Sequence, residues 1–155
     1  ETYQVGEKFS FYFAGIALLI GCSSFINAKL VDRISLQVVV TYALIWVCIW
    51  SAIFLLISWF YGNLDLTKFL IFSIPAFGSY GFLFSNVNTL ALMPMAHIAG
   101  TAAAVIGTCS NILAVLIGAC ATYFFVGTPT ALISVFFLGA TLNIIILIIL
   151  KQFKI

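Results

Sequence analysis

Two long stretches of this chain carry no charged side chain, one between Arg33 and Asp65 and the other between Lys68 and Lys151. A charge near the bilayer centre is costly. A helix needs about 20 mostly apolar residues to cross a roughly 30 Å hydrocarbon core. The first stretch has room for one such helix, the second for three, and the residues before Lys29 supply another. Breaks at charges, Gly, Pro and Asn divide the chain into five hydrophobic segments, at about residues 9–28, 36–60, 69–93, 100–125 and 131–150. Each is long enough for a tilted membrane helix. Strands of a membrane barrel would be about ten residues long and alternate in polarity, and these segments do not alternate. The expected fold is therefore all-α and integral to the membrane, with five transmembrane helices.

Composition agrees. Of 155 residues, 65% are hydrophobic and 6% are charged, against about 25% charged in soluble domains. A net charge of +2 with no basic stripe gives no footprint for nucleic acid. Cys22, Cys48, Cys109 and Cys120 each lie in apolar sequence without a C-x-x-C pair, which reads as packing rather than disulfides. The chain begins at Glu1 with no signal-peptide pattern, which reads as a piece of a longer protein.

Orientation follows from Lys and Arg in short loops. Lys29, Arg33, Lys151 and Lys154 fall on one side, and Lys8 and Lys68 on the other. That bias puts the first loop and the C-terminal tail in the cytoplasm and the N-terminus outside. The aromatic clusters at Phe9–Phe13, Trp59–Tyr61 and Tyr123–Phe125 then share the outer interface.

Polar residues inside the spans are the candidates for function. In the fourth segment Gly100, Ala104, Gly107, Asn111, Ala114 and Gly118 recur every three or four residues and form one stripe. Small residues so placed let helix backbones approach. The stripe is a packing seam or, with Asn111 on it and Thr108 and Ser110 beside it, the wall of a cavity. In the third segment Gly78, Gly81, Ser85 and Asn88 share one face, and Ser79, Asn86 and Thr89 another. Asn86 and Asn88 therefore point apart, one of them toward a neighbouring helix. Pro75 with Gly78 and Gly81 suggests a bend. Trp46 and Trp50, in a segment with few polar residues, suit a lipid-facing position.

His97 follows Pro94 at a helix end and reads as an interfacial residue. Cys, His and carboxylates do not cluster, so no metal ligand set is expected. Neither a nucleophile with its base nor a phosphate-binding loop is present, so no catalytic residue and no cofactor is expected. No Asp or Glu lies inside a segment. A proton-coupled transporter would carry its titrating carboxylate elsewhere.

From Gly81 to Gly107 the chain reads G-F-L-F-S-N-V-N-T-L-A-L-M-P-M-A-H-I-A-G-T-A-A-A-V-I-G. It resembles the tenth and eleventh helices of the Bcr/CflA drug-resistance branch of the major facilitator superfamily. That branch has the pattern P-N-x-x-A-L-A-x-x-P-x-x-H-x-A-G-T-A-S-A-x-x-G. Asn86, Leu90, Ala91, Pro94, His97, Ala99, Gly100, Thr101, Ala102, Ala104 and Gly107 match it. Ser85 stands where the family has Pro, Ala103 where it has Ser, and Ile98 where Arg is frequent. The earlier run Gly21 to Arg33, G-C-S-S-F-I-N-A-K-L-V-D-R, is similar to the eighth helix and the loop after it.

The resemblance implies a partial C-terminal bundle, helices eight to twelve, of an exporter of drugs or small metabolites in the inner membrane. It implies proton antiport by alternating access, with the lipid bilayer, a small-molecule substrate, the proton and the missing N-terminal half as partners. Asn86, Asn88, Ser110 and Asn111 become candidates for a substrate cavity, and Lys29, Asp32 and Arg33 for a cytoplasmic gating loop. Gly100, Ala104, Gly107, Ala114 and Gly118 become helix-packing positions. The alternatives are a non-transporting assembly subunit of the membrane and a subunit of a membrane enzyme. The 155 residues alone are not expected to transport, since alternating access needs two halves that move against each other.

Overall fold

The computed structural model of the chain describes residues 6, 9–62, 64–124 and 129–152. Five α-helices follow one another: α1 (Phe9–Leu30), α2 (Leu36–Tyr61), α3 (Leu66–Leu92), α4 (Ala99–Phe124) and α5 (Thr130–Gln152). Met93–Ile98 forms a 3-10 segment between α3 and α4. Inside hydrocarbon a backbone has only itself to hydrogen-bond with, so continuous apolar sequence becomes helix.

The helix ends have local causes. Gly62 closes α2 at φ 73°, a left-handed value that favours a residue without Cβ. Asp65 precedes α3, and its carboxylate accepts from the Thr67 N–H at 3.4 Å. Pro94 opens the 3-10 segment, and Met95 leaves helical geometry at φ −111°, ψ 25°. No loop separates α3 from α4, which with this kinked turn form one continuous stretch, Leu66–Ala121, of 56 residues. Four helical runs are thus long and apolar enough to cross a membrane, where five separate spans were expected. Lys8, Phe125 and Lys154, which enter the expected orientation, lie outside the described residues.

Side-chain pairs set the directions of the helices. Ser58 and Thr130 hydroxyls meet at 2.9 Å, and Cys48 meets Thr141 at 3.6 Å, so α2 and α5 run antiparallel. Leu19 and Ser23 lie against Gly78, while Asn27 meets Asn86, so α1 and α3 run parallel. In contact order the row is α1, α3, α2, α5.

The core sits between α2, α3 and α5. Phe54, Leu64, Phe72, Ala76 and Ile133 are buried there. Trp50, Phe54, Phe72 and Phe136 meet in sequence, tilted and then edge-on, with centroids 5.2, 5.4 and 5.8 Å apart. Each such pair contributes about 0.5–1.5 kcal/mol beyond area burial. Trp50 is accordingly not lipid-facing as expected. Its indole N–H donates to the Phe72 carbonyl at 3.2 Å. That bond lies beside Pro75, which lacks an N–H and leaves the neighbouring Ile71 carbonyl without its helical donor. Trp46, stacked on Trp50 at 5.5 Å, is 49% exposed.

Helix α4 stands apart. From Ala99 to Cys120 only Ala102 is buried and Ile106 half-buried. Cys22, Cys109 and Cys120 are exposed, so they do not pack as expected, whereas Cys48 does meet a neighbour.

Candidate functional site

The α1–α3 contact holds a buried pair of amides, Asn27 and Asn86. Ile20, Ser23, Ser24 and Asn27 lie three, four and seven residues apart and form one face of α1. Against it α3 brings Gly78, Gly81 and Asn86. A Cβ on Gly81 would lie 2.7 Å from the Ile20 carbonyl oxygen, 2.8 Å from Ser23 Cβ and 3.0 Å from Ser24 N, so the backbones touch only because this residue is glycine. The Ser24 hydroxyl donates to the Gly81 carbonyl at 3.3 Å.

One and a half turns further along α3, the amides of Asn27 and Asn86 bond reciprocally. Asn27 Nδ2 donates to Asn86 Oδ1 at 2.9 Å, and Asn86 Nδ2 donates to Asn27 Oδ1 at 2.8 Å. The residues are 2% and 1% exposed. Each amide thus satisfies the other where water has no access.

This corrects the expected faces of α3. Gly78, Gly81 and Asn86 all serve α1, because a helix face of i, i+3 and i+8 is wide enough to hold them. Ser85 is exposed instead. Of the two asparagines, Asn86 holds the neighbour. Asn88 is half-buried and donates to the Phe84 carbonyl of its own helix at 2.8 Å. Ser79 and Thr89 likewise bond back, to Pro75 at 2.8 Å and Ser85 at 2.9 Å.

The structure does not bring the α4 candidates to this seam. Ser110 and Asn111 are exposed. Gly100, Ala104, Gly107, Ala114 and Gly118 are exposed too, and a Cβ on Gly100, Gly107 or Gly118 would meet nothing within 4 Å. The close backbone approach expected of this stripe occurs at Gly81. What α4 offers is an uncovered face of small residues with Asn111 at its middle.

Asp32 and Arg33 are exposed in the turn after α1, where the Arg33 N–H donates to the Leu30 carbonyl at 3.0 Å. Lys29 Nζ lies 5.3 Å from the Phe25 ring centroid. These charges form no ion pair among the described residues. His97 is exposed in the 3-10 segment.

Asn27 is the functional-looking residue that sequence reasoning left without a role. The signal was present, because Ser23, Ser24 and Asn27 share one apolar-helix face, and such side chains hydrogen-bond across helices. Among the described residues no three His, Cys, Asp or Glu side chains gather. The chemistry available inside the spans is that of amides, hydroxyls and backbone, suited to contacts with neutral groups. Comparison with protein families, curated proteins and solved structures finds no match to this chain.

Proposed function

We propose that this chain is the C-terminal part, spans eight to twelve, of a multi-pass inner-membrane exporter of drugs or small metabolites working by alternating access with proton antiport. The observation that carries the reading is α4. Nearly all of it lies bare, its apolar faces as well as the small-residue stripe with Ser110 and Asn111 mid-helix, while α1, α2, α3 and α5 pack together. Hydrocarbon supplies no partner for an amide, so such a face suits a cavity or the opposing half of a transporter. The resemblance from Gly81 to Gly107 supplies the family.

In this reading the break at Met95 separates two spans, the N-terminus lies outside and the C-terminus in the cytoplasm. Asp32 and Arg33 act in cytoplasmic closure. The titrating carboxylate belongs to the N-terminal half, since the apolar segments carry neither Asp nor Glu. The test is efflux of ethidium by the full-length protein in inverted vesicles, with proton flux followed in parallel. Ethidium movement that collapses with the proton gradient supports antiport, and no coupled proton movement overturns it.

The bare α4 face also favours a second reading, a non-transporting subunit that docks a partner helix there. An Asn111→Leu variant separates the two. A docking seam tolerates the added apolar contact, whereas a substrate cavity loses a hydrogen-bonding group.

A further inference from the structure

Between α3 and α5, with α2 as its floor, lies a cleft of about 270 Å³. Val47 forms part of the floor, Ala76 and Tyr80 one wall, and Gly139 and Asn143 the other. Phe136 stops the end nearer the start of α5, edge-on to Phe72 at 5.8 Å and to Phe77 at 5.4 Å. The lining holds no charged residue, and its hydrogen-bonding side chains are Tyr80 and Asn143.

Both of those groups have capacity to spare. The Asn143 amide nitrogen donates to the Gly139 carbonyl at 2.8 Å, which leaves Oδ1 as the free end. The Tyr80 ring stacks on Phe84 at 5.6 Å, and its hydroxyl makes no hydrogen bond among the described residues. The two sit at matching positions. Tyr80 is fourteen residues into α3 and Asn143 thirteen into α5, and both helices run opposite to α2. At 1.5 Å per residue each lies about 20 Å from its helix start, toward the middle of helices of 27 and 23 residues.

Tyr80, Gly139 and Asn143 are exposed, so the cleft opens to the bilayer, but its short length and two polar groups match the ordinary occupants poorly. A membrane helix is about 10–12 Å across and would press along its whole length, whereas this cleft runs only from Phe136 to Asn143, about 10 Å, and is stopped by Phe136. A lipid tail would leave a phenol and an amide oxygen bare in hydrocarbon. An ion would find no counter-charge there. The volume falls just below the range of drug-sized ligand sites, about 300–1,000 Å³, which limits the occupant to a small molecule.

We propose that the cleft binds a neutral, compact aromatic or aliphatic molecule bearing one hydroxyl or amide group, which accepts from the Tyr80 hydroxyl and donates to Asn143 Oδ1. As a site for cargo this rests on the exporter reading, but as a binding site it stands without it.

The test is equilibrium dialysis of radiolabelled 1-naphthol against the full-length protein in lipid nanodiscs, with empty nanodiscs subtracted and naphthalene as the hydrocarbon control. One saturable site is expected. Asn143→Leu should weaken 1-naphthol about three- to tenfold, the range of a single neutral hydrogen bond, and leave naphthalene unchanged. Tyr80→Phe, which keeps the ring, should act in the same sense. Gly139→Leu should remove both ligands, since a Cβ there meets open space in the cleft. Equal 1-naphthol affinity in wild type, Tyr80→Phe and Asn143→Leu overturns the proposal, as does the absence of a saturable site. Saturable, variant-sensitive binding in a protein without ethidium efflux upholds the cleft and removes only the exporter reading. Efflux without saturable 1-naphthol does the reverse.

Discussion

Asn27 on α1 and Asn86 on α3 are each other's hydrogen-bond partners, amide to amide, at 2.8 and 2.9 Å. The side chains of a bundle are no more apolar than the lipid they displace, so hydrophobic burial gives little drive for helix association in a membrane. Two buried reciprocal bonds therefore carry weight here that a single Leu contact does not.

Removing one partner should cost more than removing both. Asn86→Leu leaves the Asn27 amide buried and unpaired, at about 1–3 kcal/mol. The double variant Asn27→Leu, Asn86→Leu should recover part of that loss. Equilibrium unfolding of the four proteins of the double-mutant cycle in mixed micelles checks this. Strict additivity would show that the pair is uncoupled.

Glycine matters at Gly81 and not in the same way on α4. Gly81→Ala places a Cβ 2.7 Å from the Ile20 oxygen, so α1 and α3 must separate, at about 1–3 kcal/mol. Gly107→Ala meets nothing and should change the stability of the 155-residue chain by less than about 0.5 kcal/mol. Thermal unfolding of both variants decides it.

Trp50→Phe keeps an aromatic ring between Trp46 and Phe54 but loses the indole donor to the Phe72 carbonyl. The expected cost is about 1 kcal/mol, read by denaturant unfolding. Trp50→Leu should cost more, because the series of aromatic contacts is broken as well. Equal losses would place the value of Trp50 in its hydrogen bond alone.

Arg33→Ala separates gating from topology. The side chain is exposed and forms no ion pair among the described residues, so stability should move by less than about 0.5 kcal/mol. Under the exporter reading ethidium efflux falls while orientation and membrane level hold. An inverted orientation, seen by cysteine accessibility, would make Arg33 a topology charge.

Much of the architecture was legible because its cause is local. A segment in hydrocarbon must close its own backbone hydrogen bonds, so apolar length translates directly into helix. Gly62, Asp65 and Pro94 mark ends through φ, a carboxylate acceptor and a missing N–H. The turn at Met95, which keeps α3 and α4 in one continuous stretch, was not legible. Its 3-10 geometry satisfies the same backbone groups as a loop would, and no residue type there demands one over the other.

The placement of polar side chains depended on neighbours. Asn86 and Asn88 are chemically identical and two residues apart, and only the presence of α1 with Asn27 made one a clamp while the other bonded back to Phe84. Trp50 looked like a lipid-facing residue, because its partner is a backbone carbonyl on another helix, which no side-chain pattern records.

The sequence by itself determined that this chain is helical, where most of its helices begin and end, and that its charges lie outside the apolar segments. Each of these follows from interactions within a few residues. Tertiary structure alone decided that close packing falls on Gly81, that the matching stripe of α4 stays bare, and that Tyr80 and Asn143 face one cleft. A helix carries every face it has in its sequence, but which face is covered is a property of what packs beside it.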